Sequence, residues 1–233
     1  MLDPQELEIL ALSLKVAFWS MLGSLPLALA LAWLLARREF PGKTLLDACV
    51  HLPLVLPPVV IGYLLLIVFG RHGALGAWLE THLGWVFAFR WTGAALAATI
   101  MGLPLAVRAM RQAIDAVDPR LEAAASTLGA GPMALFASVT LPLALPGILN
   151  GMLLAFARSL GEFGATITFV SSIPGETQTL PLAIYALTQV PGGDERALRL
   201  CVLAVLLSLG ALIASELLLR RARHAIHGEA SSG

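Results

Sequence analysis

Charge is scarce in this chain. Only 13% of its 233 residues are Asp, Glu, Lys or Arg, against roughly a quarter in an average soluble domain. By contrast 58% are hydrophobic, and the mean hydropathy is +0.84. A globular protein of this length has too little interior to hide that much apolar surface, so a soluble enzyme and a disordered chain are both excluded. Lys plus Arg and Asp plus Glu balance at 15 each, and without a net field nothing points to nucleic acid as a partner. Cysteine is nearly absent: Cys49 and Cys201 stand far apart and outside any Cys-x-x-Cys pair. That rules out a disulfide scaffold and leaves both as small apolar packing residues. No His-Glu-x-x-His occurs, and His51, His72, His82, His224 and His227 are scattered without a carboxylate constellation, so an intramembrane enzyme and a metal site are set aside. A nucleotide loop is missing too. Gly42-Lys43-Thr44 looks like the end of a phosphate-binding loop, but the glycine that loop needs five residues earlier is Arg37.

What the chain has in quantity is long apolar runs. Residues 14–35 are apolar but for Lys15 and a few small polar residues, 50–69 and 91–107 are uncharged, 148–170 carry only Arg158 and Glu162, and 200–219 end at Arg220, Arg221 and Arg223. Each approaches the ~20 residues that cross a bilayer core. These five windows predict an all-α, polytopic membrane protein formed as one transmembrane domain over the whole chain. Pro53, Pro57 and Pro58 fall in the second window, where missing donors should bend or break the helix. The segment before the first window carries Asp3, Glu6 and Glu8 but no basic residue, unlike the start of a signal peptide. The first span is therefore expected to be retained, with its N-terminus outside. In that orientation nine basic residues, among them Arg37, Arg38, Arg108 and Arg220, face the cytoplasm, and four, Arg71, Arg90, Arg196 and Arg199, face out. The positive-inside rule is satisfied, and an odd number of spans puts the C-terminus inside. Residues 180–190 are apolar but short; they read as a re-entrant or interfacial segment, with a sixth short span as the alternative.

Residues 108–142 are the most informative loop. Arg108 to Leu128 is helix-forming, Gly129, Gly131 and Pro132 force a turn, a second short helix is expected near Met133–Val139, and Leu141-Pro142 should redirect the chain into the fourth span. On chemistry alone this is either a lever for a partner or a connection. The spacing of Ala124, Leu128-Gly129, nine residues, Val139, one residue, then Leu141-Pro142 resembles the cytoplasmic loop of the membrane subunits of ABC importers. One position departs from the pattern: Ala123 stands where that family has a glutamate, and Glu122 comes one residue early. The resemblance implies an ABC importer permease fold with cytoplasmic coupling helices docked into a separate ATPase.

Arg158 and Glu162 are four residues apart on one helical face near mid-membrane. A lone charge there costs at least roughly 2.5–3.5 kcal/mol, so the two form either a buried structural pair or part of a polar route with Asn150, Ser159, Thr166 and Thr168. Gly147 and Gly151 have the spacing that lets another helix approach closely. The stretches FPGKTLLD (40–47), HLPLVLPPVVIGYLLL (51–66) and FARSLGEFGATITFVSSIPGETQTLPLAIYALTQVPGG (156–193) resemble the permeases of bacterial molybdate ABC importers. That resemblance implies a multi-pass protein of the bacterial inner membrane, embedded in lipid and working as a homodimer. It further implies a cytoplasmic ABC ATPase dimer that binds ATP-Mg and a periplasmic molybdate-binding protein, with no cofactor in this chain. The substrate would be molybdate or tungstate. The alternatives are a sulfate or thiosulfate permease, which shares a similar ARxLGE core, and an ion-coupled secondary transporter using Arg158 and Glu162.

Overall fold

The computed structural model describes residues 3–229, with side chains for all of these except Ser215 and 218–229. Arg220, Arg221, Arg223, His224 and His227 thus lie outside the described side chains. Every regular element among the described residues is helical.

The first helix, α1 (Pro4–Arg37), starts at a capping box in which Asp3 caps and Glu6 reaches back to the Asp3 backbone, with Pro4 pre-set at the first helical position. Its 34 residues give about 51 Å at 1.5 Å per residue, more than the window 14–35 required. The buried stripe of α1 is small: Ser13, Ala17, Ser20, Ser24, Ala28 and Ala32. It meets an equally small face on α5 (Trp91–Asp115), where Ala94, Ala97, Ala98 and Ala106 have no exposed surface. Small side chains let the backbones come close where lipid gives helices no hydrophobic reason to associate.

Two glycines extend this core to α8 (Leu141–Leu160). A Cβ at Gly147 would lie 2.1 Å from the Ala113 Cβ, and one at Gly151 would lie 3.0 Å from the Ala106 carbonyl. Across the same core the Ser20 and Ser159 hydroxyls share a 2.8 Å hydrogen bond.

The third window is too short by eight residues. Helix α5 runs on to Asp115 because its apolar face continues under the charges: Met110 and Ile114 are fully buried beside Arg108 and Arg111. The loop helix expected over 108–128 is therefore two helices, and α6 (Pro119–Thr127) begins afresh where Asp118 caps the Arg120 N–H and Pro119 cannot continue α5. A second correction concerns Leu141-Pro142, which does not redirect the chain. The short α7 (Pro132–Leu135) passes through a π turn over Phe136–Thr140 straight into α8, and 132–160 form one apolar stretch. Pro142 has no N–H for the Ser138 carbonyl, and the wider turn absorbs this, with the Leu141 N–H bonding Phe136 O instead.

A third correction concerns the fourth window, which is not one helix. After α8 the chain leaves helical geometry at 161–163 and resumes as α9 (Gly164–Val170). The second window is also broken: α2 (Lys43–Val55) and α3 (Pro58–Phe69) meet at 112° across Leu56-Pro57, as its prolines require. The two breaks pack together, since a Cβ on Gly164 would lie 2.7 Å from Pro58 and one on Gly62 would lie 2.4 Å from the Ala165 carbonyl.

A short α4 (Ala74–Leu83) follows α3. Helix α10 (Leu180–Thr188) has nine residues, about 14 Å, which is too short to cross. Its Leu182 is fully buried, and the Leu180 N–H donates to Ser13 Oγ at 2.7 Å, so α10 is docked against α1. Last comes α11 (Asp194–Glu229), whose apolar side chains, such as Val205 and Leu212, remain exposed for lipid or another subunit. Among the described residues four helices are long and apolar enough to cross a membrane, which gives up to five spans if α2 and α3 together count as one bent span.

Candidate functional site

Two places gather the polar residues singled out in the sequence, one at each end of α8. At the N-terminal end, α6 and α7 form a tip. Gly129 ends α6 at φ +88°, a left-handed conformation that glycine reaches without strain, and there the Ala130 N–H closes back on Ala125 O at 3.2 Å. Ala123, Ala124 and Gly129 are exposed, and Leu128 is 88% and Met133 79% exposed. Large apolar side chains so far out of any core mark a contact surface.

Val139, Leu141 and Pro142 are not part of that tip. They lie in the π turn and the first turn of α8, so the eight residues of the loop pattern divide into a tip and a root. Glu122 belongs to the root by contact. Its Oε1 accepts from Arg37 Nη2 at 2.9 Å and from Thr140 Oγ1 at 2.7 Å, and the same Arg37 nitrogen reaches Ile114 O at 2.9 Å and Val117 O at 3.4 Å. One arginine at the end of α1 thus ties α5, α6 and, through Glu122, the π turn. Sequence reasoning missed Arg37 and Thr140. Arg37 lies 85 residues from its carboxylate, and no local spacing announces such a contact.

At the C-terminal end of α8, Arg158 Nη1 stands 2.8 Å from Glu162 Oε2. The two are not on one helix: Arg158 is in the last turn of α8 and Glu162 is in the break. The Glu162 side chain is 2% exposed and that of Arg158 28%. Glu162 Oε1 accepts the Ala165 N–H at 2.9 Å, so the carboxylate also caps the start of α9. This second duty gives a reason for the break, because in an unbroken helix that donor would belong to a carbonyl.

The remaining polar residues are engaged. Ser159 is 6% exposed and bonds Ser20 Oγ and Ala155 O, and Thr166 is 1% exposed and donates to Phe163 O at 2.8 Å. Thr168 donates to Gly164 O. Asn150 is half-buried on a different groove, with Leu153, Ala157, Leu212 and Glu216, between α8 and α11. It sits about 12 Å along the helix axis from Arg158 and does not join it.

No group of three or more His, Cys, Asp or Glu able to hold a metal occurs among the described residues. Arg37 occupies the position of the absent glycine in the Gly-Lys-Thr stretch and is committed to Glu122.

With this geometry in view, the likeness to known proteins is informative. The molybdenum transport system permease protein ModB of Escherichia coli K12 is 57% identical over 95% of this chain and 96% of its own length. The sulfate transport system permease protein CysT of the same organism is 36% identical over 80% of this chain and 67% of its own. The crystal structure of a bacterial ABC transporter that imports the polysaccharide alginate superposes with a TM-score of 0.74 over 94% of this chain and 80% of that one, at 17% identity, so the backbone architecture is shared where the sequence is not. The family described as binding-protein-dependent transport system inner membrane component matches residues 24–224. A multi-pass, non-catalytic subunit of the bacterial inner membrane, this chain belongs to that family.

Proposed function

We propose that the chain is the permease of an ATP-driven importer of molybdate or tungstate, built from two copies of itself, a cytoplasmic ABC ATPase dimer carrying ATP-Mg, and a periplasmic binding protein. The observation that carries this reading is mechanical. An exposed apolar tip, Leu128 and Met133, is continuous through the π turn with α8, and α8 ends at the Arg158–Glu162 break. A displacement applied at the tip reaches the break along one rigid rod about 43 Å long, the length of the 29 helical residues 132–160.

Energy must come from outside this chain. Moving a dianion inward against an inside-negative potential costs about 4.6 kcal/mol per 100 mV, at ~2.3 kcal/mol per charge. A static pore would release the ion outward, and a gate coupled to ATP hydrolysis on a partner prevents this. The relative's name and its 57% identity supply the substrate class. Selection is left to the periplasmic protein, so the permease needs only a weakly binding route.

Uptake of labelled molybdate into proteoliposomes holding the permease, its ATPase and its binding protein tests the proposal. ATP-dependent uptake that sulfate at equal concentration does not suppress is the expected result. Uptake without the ATPase would favour the ion-coupled transporter, and faster sulfate uptake the sulfate permease.

A further inference from the structure

Beside the tip, and sharing Met133 with it, lies a groove whose α1 wall the transport reading does not use. Pro26, Leu29, Ala30 and Trp33 of α1 form one wall and Met133 and Phe136 the other, enclosing about 410 Å³ with an almost wholly apolar lining. Trp33 and Phe136 meet edge to face at its end, 6.1 Å between ring centres. A second, more polar recess adjoins the groove and shares Trp33 and Pro132 with it; Arg37, Arg38 and the Glu122 carboxylate line that recess. Arg38 is exposed, rests its guanidinium 5.4 Å from the centre of the Trp33 ring, and makes no ion pair among the described residues. Arg37 has Nη2 committed, but its Nε is buried without a hydrogen-bond partner.

With Arg37 neutralised by Glu122, the apolar slot opens onto one exposed arginine, Arg38, and is complementary to an amphiphile with one anionic head. The four α1 residues span about 10 Å along the helix axis at 1.5 Å per residue, within the ~15 Å of hydrocarbon that one leaflet provides. The arginines sit where the chain leaves the bilayer, in the leaflet whose surface attracts basic residues. A folded soluble partner meets the tip at Leu128, whereas the α1 wall of the groove belongs to an apolar membrane span.

We propose that this groove binds one anionic phospholipid of the cytoplasmic leaflet, an acyl chain between α1 and Phe136 and the phosphate at Arg38. Because Phe136 opens the π turn that joins the tip to α8, the bound lipid braces that junction against α1. This depends on the orientation proposed for α1 but not on the substrate.

Retention of phosphatidylglycerol against phosphatidylcholine by the purified full-length chain, read by native mass spectrometry from mixed vesicles, tests the site without measuring transport. Wild type is expected to keep phosphatidylglycerol selectively. Arg38→Gln should raise the concentration for half-retention about fivefold, the worth of one basic residue at an anionic surface. Ala30→Phe, which fills the slot from an exposed position, should abolish selective retention, and Arg71→Gln, on the loop after α3, should change nothing. Equal retention of both lipids, or unchanged retention in Arg38→Gln and Ala30→Phe, overturns the proposal. So does dissociation of a dimer by Ala30→Phe with lipid retention intact, which would make a second copy the occupant.

Discussion

Glu162 does two jobs with its two oxygens, pairing with Arg158 and capping Ala165, and substitutions separate them. Glu162→Leu loses both, leaving Arg158 without its carboxylate and α9 without its cap. Arg158→Leu leaves a carboxylate that is 2% exposed without a counter-charge, which at a fully buried site costs roughly 3–5 kcal/mol. Arg158→Leu with Glu162→Gln removes both charges and keeps an acceptor for Ala165. That double variant is expected to melt within a few degrees of wild type, whereas Arg158→Leu with Glu162→Leu should fall short of it by about 1 kcal/mol, the worth of an N-terminal cap. Thermal unfolding of the purified variants measures this. Molybdate uptake by the stable double variant then decides the role of Arg158: normal uptake makes the pair a structural clamp, and stability without uptake puts the arginine in the pathway. The sequence revealed that a charged pair in an apolar window must be satisfied. It did not reveal the cap, because Glu162 meets Ala165 only after the helix has broken, and in a chain with 21 glycines neither Gly161 nor Gly164 singles out that point.

The elements were legible wherever one window of composition decided them, and misread where a contact from elsewhere in the chain did. The prolines of the second window announced the bend between α2 and α3, and Gly129 announced the end of α6. The continuity of α5 through Arg108 and Arg111 was hidden, because charges that read as a separate loop helix ride on the span's own helix, whose other face, Met110 and Ile114, is fully buried. Likewise Leu141-Pro142 looked like a corner, yet a π turn carries the helix through. The tip offers a test at this scale. Leu128 is 88% exposed, so Leu128→Asp should leave the melting temperature of the isolated permease nearly unchanged, a surface substitution being worth within about 0.5 kcal/mol, while ATP-driven uptake is lost with the ATPase contact. Uptake at the wild-type rate would remove the tip from the coupling surface. Glu122→Ala should also uncouple, by a different route. It frees α6 from Arg37 and Thr140, two charge-assisted bonds worth roughly 1.5–3 kcal/mol each. The permease should still assemble with its ATPase in pull-down, but hydrolysis should no longer respond to the loaded binding protein.

For the whole molecule, the quantity that organises everything else is orientation, since it decides which end of α8 meets the ATPase. We propose it from nine basic residues against four by the positive-inside rule, with the helix count giving its parity. With α2 and α3 as one bent span there are five crossings, the 9-residue α10 being too short to add a sixth. The tip at Leu128 must then lie on the same side as Arg37 and Arg38, and its Arg37–Glu122 bond requires the same arrangement independently. The turn before α11 must lie on the opposite side, together with Asp3, whose carboxylate pairs with Arg196. Two ion pairs at opposite ends of α1 therefore group the segments by side, in contacts instead of charge counts. In a background with Cys49 and Cys201 replaced by alanine, Glu195→Cys should react with a membrane-impermeant maleimide in intact cells, freed of the outer membrane. Leu128→Cys should react only after the inner membrane is opened. Labelling of Leu128→Cys in intact cells would reverse the orientation and separate the tip from any cytoplasmic ATPase. Protection of both positions would place the α10 region across the membrane and require the even number of crossings that the short helix argues against.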